Sequence, residues 1–448
     1  MNEIKELSEP NEEHVGQSND GSKHWKRNFA LFIIGQGITL FGSMLVYYTV
    51  MWHITLKTQS GLMMTLITVA GALPMFFISP FGGVWADRYN KKHLINIADA
   101  SIAAVTLIMA LLFSFGVDLT GLLLICLVMR ALGQGIQNPA VNALVPELVP
   151  QEQLTRANGI SGSIQSIVMF ISPMAGGALL VTAPIHTLMF IDVITAAIGI
   201  GILLFFVKIP ARPKKSGKKT GVKQYFLEIS EGLKYVRSHT FVMKILVLSA
   251  LFNIMAAPVA ALTPLQVVRD WGDGIWNVLG GLSFGPEQRL AAMEMVFFVG
   301  MMLGGLVMGI WGGFNNKSHS MALSTFLLGI GAAGLGLIGN FWLYLVCMGL
   351  TGLVMSIFNA PMMATMQTNV ESAYMGRVFS VLTMMGSVMM PLGMILWGPV
   401  SDVVAIDWLL IGTGAFIFFM GFAFMFDKTL LNAGAPVHSS EDKGEPEE

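Results

Sequence analysis

Charged side chains are scarce in this sequence. Asp, Glu, Lys and Arg supply only 12% of the 448 residues, whereas 54% of the residues are apolar. Soluble domains carry about 25% charged residues. A surface that faces water on every side is therefore excluded, and we expect most of the surface to lie in lipid.

Cysteine is nearly absent, and so are the motifs of nucleotide and metal chemistry. Cys126 and Cys347 lie in separate apolar runs, which argues against a disulfide framework and a zinc site. No glycine-rich phosphate loop followed by Lys and Ser or Thr occurs, which argues against ATP drive within the chain. No catalytic constellation or nucleic-acid-binding pattern is present. We therefore expect no enzyme activity, no metal and no cofactor.

The sequence is rich in long apolar runs, which recur from Asn28 to Phe426. Each is about 18 to 25 residues long, the length of helix that crosses a hydrocarbon core of roughly 30 Å. The pattern predicts an all-α integral membrane protein with twelve transmembrane helices. The predicted spans are 29–52, 61–85, 94–115, 119–140, 160–182, 186–207, 241–264, 291–313, 321–338, 341–361, 378–400 and 406–426.

The distribution of basic residues predicts the topology. The first 22 residues are polar, with no apolar core typical of a cleavable signal peptide, so we expect the N-terminus to stay in the cytosol. With that start, 22 of the 26 Lys and Arg residues fall on the cytoplasmic side. Only Lys57, Arg269 and Arg289 fall outside, and Arg130 lies within a span. This skew obeys the positive-inside rule and places both termini in the cytosol of a multi-pass cell (inner or plasma) membrane protein.

A polar segment divides the chain into halves. It begins near Pro210 and carries a run of lysines, which fits a solvated linker or, alternatively, contact with anionic headgroups. Phe226, Ile229, Leu233 and Val236 then recur at helical spacing and predict an amphipathic helix. The predicted division is an N-terminal tail (1–27), a six-helix bundle (28–208), the linker (209–240), a second six-helix bundle (241–427) and an acidic tail (428–448).

The two halves are related in sequence. "GVWADRYNKKH" at 83–93 aligns with "GIWGGFNNKSH" at 309–319. A second alignment, offset by about 221 residues, pairs Cys126 with Cys347 and Arg156 with Arg377, and it places Arg130 opposite Thr351. Internal repeats in a helical membrane protein indicate a transporter whose halves rock about a midplane site. We therefore predict two pseudo-repeated six-helix bundles.

The segment 83–92 resembles the signature G-x-x-x-D-R-x-G-R-R/K of the major facilitator superfamily. The resemblance implies a gating cluster that includes Asp87 and Arg88; a topology-setting basic turn would explain the lysines but not this pair. Asn90 stands where the family prefers glycine, and we expect it to adopt a left-handed turn. The predicted gating residues are Gly83, Asp87, Arg88, Asn90, Lys91, Lys92 and Arg377.

A narrower resemblance covers nearly the whole chain. "NPAVNALVPELVPQEQLTRANG" at 138–159 and "GRVFSV" at 376–381 look like the branch that includes macrolide-efflux proteins and enterobactin exporters. "SPMAGG" at 172–177 partly matches the P-x-x-G-G element of drug:proton antiporters, with Pro173, Gly176 and Gly177 in the matching places. The branch implies export driven by the proton gradient and leaves the substrate open.

Ionisable residues inside predicted spans are functional candidates, because charge in a bilayer is costly. Arg130 lies near the midplane and needs an anionic partner or a wet cavity; the resemblance places it, with Gln134, near the family's R-x-x-Q-G motif. Asp192 is the first candidate for the coupling proton, followed by Glu294 and Asp99, because a carboxylate in low dielectric can exchange between neutral and charged forms. Static pairing is the alternative for each.

Uncharged polar residues in the spans are candidates for lining the substrate path, although any one of them more often bonds a neighbouring helix. Besides Arg130 and Gln134, the predicted cavity set is Gln36, Gln165, Asn253 and Asn359.

The resulting prediction is a secondary active transporter that exports amphipathic small molecules, macrolide-like drugs above all, in exchange for protons. Its predicted partners are a small-molecule substrate, protons and membrane lipids, and we expect a monomer. The alternatives are export of a siderophore or another metabolite, and uptake of a lipid or solute by the same fold. A non-transporting sensor or membrane enzyme would have no need of the duplicated loop.

Overall fold

The computed structural model describes residues 25–208, 222–274, 276–278, 282–371 and 374–435. The predicted terminal tails up to residue 24 and from residue 436, and the basic run at 209–221, lie outside these ranges. The described helices are α1 (Trp25–Thr58), α2 (Gly61–Arg88), α3 (Lys91–Ser114), α4 (Thr120–Leu148), α5 (Leu154–Thr182), α6 (Ile185–Gly201), α7 (Val222–Ser238), α8 (Thr240–Ala261), α9 (Thr263–Trp271), α10 (Pro286–Trp311), α11 (Lys317–Leu337), α12 (Phe341–Asn369), α13 (Met375–Val400), α14 (Ile406–Phe426) and α15 (Lys428–Gly434).

Twelve helical segments of the described chain are long and apolar enough to cross a membrane, and they follow the predicted order. They are α1 to α5, α6 with the π-helical turn that continues it to Phe206, the continuous pair α8 and α9, and α10 to α14. Several extend beyond the predicted spans because a helix continues past the apolar window that predicts it. Pro264, at the second position of α9, has no amide to continue the hydrogen bonding of α8, and the helix of the seventh span is interrupted at Leu262.

The twelve spans alternate in direction, so α1 begins and α14 ends on the same side, which we name the terminal side; the opposite side is the far side. A small hairpin, β1 (Trp276–Val278) and β2 (Leu282–Phe284), lies on the far side between α9 and α10. Buried Arg289 fixes it by donating hydrogen bonds to the carbonyls of Gly274 and Phe284, at 2.7 and 2.9 Å, and by stacking over Trp276.

The two halves meet along α2 with α13 and along α5 with α10. Contact is tight near the far side, where the Thr65 hydroxyl donates to the carbonyl of Met394 at 2.8 Å. Toward the terminal side, a methyl group added at Gly83, Gly159, Gly162 or Gly376 would find no described atom within 4 Å. Within the described residues, the halves are therefore closed at the far side and spread apart at the terminal side.

The predicted amphipathic helix forms as α7 and packs on the second half. Tyr235 and Val236 are buried, while Leu233 of the predicted apolar face is exposed. Tyr235 stacks on Tyr374 with ring centroids 4.5 Å apart. The helix is thus anchored to the start of α13, and the apolar pattern serves protein contact at this end.

Candidate functional site

A cavity of about 700 Å³ lies between α1, α2 and α4 of the first half and α13 of the second. Its lip on the terminal side is formed by Gly376 and Phe379, and its deepest residues include Ile67 and Pro391 near the far-side contact. The volume falls within the roughly 300–1,000 Å³ of drug-sized ligand sites. The lining is largely apolar, with methionines and aromatic rings, and its one charged group among the described residues is Arg130.

Arg130 forms an ion pair with Asp192 in the wall of this cavity. Its Nη1 donates to Asp192 Oδ2 at 2.5 Å and to the Thr106 hydroxyl, and its Nη2 donates to the carbonyl of Ser43 at 3.4 Å. The side chains of Arg130 and Asp192 are only 4% and 1% exposed. Four helices, α1, α3, α4 and α6, therefore converge on one charge pair. The second oxygen of Asp192, Oδ1, has no hydrogen-bond partner among the described residues.

Asp99 forms a second polar cluster nearer the terminal side. Gln137 Nε2 donates to Asp99 Oδ1 at 2.5 Å, and the Gln36 side chain faces the same carboxylate. Asp99 Oδ2 and both polar atoms of the Asn96 side chain are buried without a partner in the described chain. Asn96, Asp99 and Thr106 lie on one face of α3, because they are three and seven residues apart. A polar column thus runs from the Arg130 pair toward the terminal side.

The other predicted cavity residues are dispersed. Gln134 lines the cavity beside Arg130, one helical turn away. Asn253 donates to the carbonyl of Ser249 in its own helix at 2.8 Å. Gln165 and Asn359 are exposed and lie outside the lining of the cavity at Arg130. Sequence alone offered no signal for Ser43 and Thr106, which are short polar residues in apolar helices and yet contact Arg130.

The turn at Asn90 differs from the expectation. Asn90 has φ −68° and is extended, and its side chain accepts a hydrogen bond from the Lys92 amide at 3.0 Å. Its counterpart Asn316 accepts from the Ser318 amide at 2.9 Å. The predicted left-handed conformation is therefore wrong, because asparagine here acts as the N-cap of the following helix in both repeats. In the second repeat the left-handed residues are Gly312 and Gly313.

The basic residues of the predicted gate contact neighbouring helix ends. Lys91 forms an ion pair with Glu147 at 2.7 Å, and Lys92 donates to the carbonyl of Val207 at 2.8 Å. These contacts join the start of α3 to the end of α4 and to the residue that follows the sixth span within the first half. Arg377 pairs with Glu231 of α7 at 3.2 Å. Gly83 is partly buried, and Asp87 and Arg88 are exposed, at the terminal end of α2.

The helix 5 motif lies at the far-side contact. Pro173, Gly176 and Gly177 are buried in α5. A methyl group at Gly176 would lie 3.4 Å from the Trp52 ring of α1, and one at Gly177 would lie 2.3 Å from the Cβ of Ala291 in α10. These glycines allow α5 to approach one helix of each half.

A far-side latch, defined by Asp402 and Arg269, was not anticipated from the sequence. The Asp402 carboxylate accepts from the amides of Gly61 and Leu62 at 2.6 and 2.9 Å and from Ser60 Oγ at 3.0 Å. Arg269 Nη2 donates to the same carboxylate at 2.9 Å. The latch therefore caps the N-terminus of α2 in the first half with an acid from the second, where a helix dipole favours negative charge.

Removal of the Asp402 carboxylate is expected to open the far side. Asp402→Ala deletes a helix cap worth about 1 kcal/mol, so the far-side-open population should rise about fivefold, and Asp402→Asn, which keeps the acceptor, should show less. Labelling of a Thr68→Cys cavity reporter by a membrane-impermeant thiol reagent measures this. Asp118→Asn, at an exposed far-side acid paired with Lys57, is the matched control. Equal labelling in all variants would contradict the latch.

The latch is expected to withstand acid. Partial burial alone raises the pKa of Asp402, but the amides of Gly61 and Leu62, the Ser60 hydroxyl and Arg269 outweigh it and hold that pKa below its ordinary value. An acid whose pKa falls on folding stabilises the closed state above its ordinary pKa, about 3.9, and loses that contribution only as pH falls through the lowered value. The ratio of far-side labelling between Asp402→Ala and the unaltered protein should therefore be the same at pH 7 and at pH 5.

Glu294 lies apart from the Arg130 pair, in α10, and lines a separate cavity with Tyr47 and Thr351. The sequence predicts the same proton-coupling role for Glu294, Asp192 and Asp99, but Asp192 and Asp99 lie on α6 and α3 of the first half. Within the described residues, no cluster of three or more His, Cys, Asp or Glu side chains could hold a metal ion.

Comparison with known proteins gives one consistent family. Residues 28–393 match the sequence model of the Major Facilitator Superfamily. Macrolide efflux protein A of Streptococcus pyogenes is 29% identical over 87% of this chain and 93% of its own length. The staphyloferrin A transporter of Staphylococcus aureus (strain NCTC 8325 / PS 47) is 24% identical over 79% of this chain and 85% of its own. The crystal structure of a nucleoside transporter superposes with a TM-score of 0.67, at 16% identity, over 90% of this chain and 99% of its own.

Proposed function

Because the chain belongs to the major facilitator superfamily and is a transporter rather than an enzyme, we propose that it exports amphipathic small molecules in exchange for protons. Macrolide-like compounds are the first substrate candidates, since the similarity to macrolide efflux protein A covers most of both chains. The cavity supports this choice, because it is wide and largely apolar. No cofactor is required, because the proton gradient supplies the energy, and the proposed unit is a monomer in the cell membrane.

The terminal side is proposed to face the cytosol. Lys91, Lys92, Arg156 and Arg377 lie on that side, at the ends of spans, and the far side carries few basic residues, of which Arg269 is held in the latch. The positive-inside rule then assigns the terminal side. The described conformation is accordingly open to the cytosol and closed to the outside. It would bind substrate from the cytosol.

The single observation that carries the proposal is the buried Arg130–Asp192 pair in the cavity wall. An isolated charge there would be strongly destabilising, so the two groups stabilise each other. A proton on Asp192 removes half of the pair and leaves Arg130 without a counter-charge, which favours a conformation in which water or another acceptor reaches it. The protonation state of Asp192 thus biases the two conformations, which is the requirement for coupling.

The polar column on α3 supplies a route for that proton to the cytosol. Asp99 lies about 12 Å from the start of α3, at 1.5 Å per residue, and its Oδ2 has no partner among the described groups. Asn96 is one turn closer to the terminal side and is likewise unpartnered. Buried polar atoms of this kind are typically satisfied by water. A proton released at Asp192 would therefore leave through Asp99 and Asn96.

Alternating access follows from the two contact zones. In the described state the latch and the α5–α10 contact close the far side. Export requires the reverse arrangement, in which the latch breaks and the halves meet at the terminal side near Asp87, Arg88 and Arg377. The gate role that the family signature implies for these residues belongs to that second state.

A siderophore is the second substrate candidate. The similarity to the staphyloferrin A transporter favours it. So does Arg130, because protonation of Asp192 would release a guanidinium that can bind a substrate carboxylate bidentately. The same coupling acid would serve either substrate, so the two candidates differ only in what the cavity holds.

Uptake into inverted membrane vesicles tests the proposal. Vesicles energised to an acidic interior are expected to accumulate radiolabelled macrolides, or a siderophore, only while the gradient lasts. Vesicles from cells that lack the protein provide the background. Accumulation that is unchanged when the gradient is collapsed would contradict proton coupling, and accumulation only in right-side-out vesicles would reverse the proposed direction.

A further inference from the structure

A second cavity, of about 270 Å³, is lined by α1 and by helices of the second half, and Glu294 is the one charged residue in its lining. We name it the Glu294 pocket. Five aromatic rings surround it, from Tyr47, Tyr48, Phe252, Phe297 and Phe298. Met51, Met348 and Met355 also line it, together with six aliphatic residues and two threonines. The Glu294 carboxylate therefore shares this pocket with aromatic rings and methionine thioethers.

The described protein provides no cation for this acid. Glu294 forms no ion pair or hydrogen bond with the described residues. Arg289, the nearest arginine along α10, donates its hydrogen bonds to far-side carbonyls, and Arg130 is paired with Asp192. The two halves differ at this point. In the repeat alignment Thr351 of the second half corresponds to Arg130 of the first, and Thr351 lines the Glu294 pocket. The second half therefore holds an acid in this pocket and lacks the arginine.

We infer that the Glu294 pocket binds the compact ammonium group of an amphipathic substrate, with Glu294 as its counter-ion and the aromatic rings as its cage. This inference rests on the proposed function and names the substrate class more closely. A cation over the faces of aromatic rings is attracted by their π electrons, and the attraction strengthens when the site is desolvated. A carboxylate in the same desolvated pocket adds direct charge pairing, which a buried acid without a partner otherwise lacks.

The volumes of the two cavities fit a substrate that has one large part and one small part. At about 270 Å³ the Glu294 pocket is just smaller than the roughly 300–1,000 Å³ typical of whole drug-sized ligands. The central cavity of about 700 Å³ is large enough for the rest. Tyr47 lines both cavities and is the wall they share. A substrate with a bulky apolar body and a small ammonium head would place its body beside α2 and α13 and its head beyond Tyr47.

Binding to the purified full-length protein in nanodiscs tests the inference with a matched pair of probes. The probes are 4-phenylbutyltrimethylammonium and its neutral analogue, in which a tert-butyl group replaces the trimethylammonium. Glu294→Gln is expected to weaken binding of the cation tenfold or more and to change binding of the neutral probe less than twofold. Retained binding of the neutral probe also shows that the variant is folded. Glu287→Gln, on the same helix outside the pocket lining, should leave both probes unaffected.

A second variant distinguishes the contribution of the aromatic rings from that of the Glu294 charge. Phe298→Leu keeps most of the apolar bulk and removes the π face, so cation binding should weaken about threefold while the neutral probe is held equally well. Cation binding that is unchanged by Glu294→Gln would overturn the inference. Equal losses for both probes would also overturn it, because they would show a shape effect rather than recognition of charge.

Flux measurements distinguish this inference from the proposed function. In Glu294→Gln, gradient-driven flux of the neutral probe should persist while flux of the cation falls. Loss of all gradient-driven flux in this variant alone would make Glu294 a coupling residue and would overturn its role as the ammonium site. If the unaltered protein binds the two probes as expected but moves neither with a gradient, the pocket stands and the proposed transport function fails.

Discussion

Replacing Asp192 with asparagine is expected to abolish gradient-driven transport and to destabilise the protein. The carboxamide keeps the shape but leaves Arg130 buried without a counter-charge, and breaking a buried pair costs about 3–5 kcal/mol. Transport should fall at least a hundredfold, because the proton has no site at the pair. Flux in proteoliposomes measures the first effect, and unfolding in mixed detergent measures the second.

A double-mutant cycle separates folding from coupling at this pair. Arg130→Met and Asp192→Leu should each destabilise the protein, whereas the combination removes both charges and should recover most of the free energy of unfolding. The combination should still lack coupled transport. Asp118→Asn removes an exposed far-side acid and is the control expected to behave as the unaltered chain. Coupled transport by the double variant would show that the pair is only structural.

Adding a single methyl group at Gly177 is expected to reduce transport strongly, by preventing closure of the far side. In Gly177→Ala the new Cβ would lie 2.3 Å from the Cβ of Ala291 and 3.2 Å from the carbonyl of Glu287. Neither atom is at the end of a flexible side chain, so α5 and α10 must separate. The closed far side is thereby disfavoured, transport should fall about tenfold or more, and labelling of the Thr68→Cys reporter from the far side should rise.

Gly412→Ala is the matched control for this prediction. Gly412 is exposed in α14, and an added methyl group would meet no described atom within 4 Å. Transport should stay within twofold of the unaltered protein, because alanine is well tolerated in a helix. Normal transport and normal labelling in Gly177→Ala would show that the α5–α10 contact does not control closure of the far side.

The fold was predictable because its signals are local. Each span is a continuous apolar run, and the duplicated loop at 83–93 and 309–319 pairs the halves by sequence alone. The same signals predicted that Arg130 needs an anion within the bilayer. They did not indicate which anion, because Asp192 is 62 residues away and only the packing of α1, α3, α4 and α6 brings the two together.

The sequence did not predict which side of the transporter is closed or which residues hold it closed. Asp402 and Arg269 lie at the ends of spans, where a charged residue is ordinary, and their meeting depends on which side of the transporter is closed. The Glu294 pocket likewise forms only when α1 packs against six helices of the second half. The error at Asn90 has a simpler cause: asparagine favours both left-handed turns and helix N-caps, and a cap was needed because α3 begins at the next residue.

The most direct test of the central claim is proton movement driven by substrate alone. Proteoliposomes that contain the unaltered protein and a pH indicator, with equal pH on both sides, receive a gradient of a transported macrolide. We expect protons to move against the direction of the drug, and we expect Asp192→Asn to abolish that movement. Drug flux without proton movement, or proton movement that persists in Asp192→Asn, would contradict coupling at the Arg130–Asp192 pair.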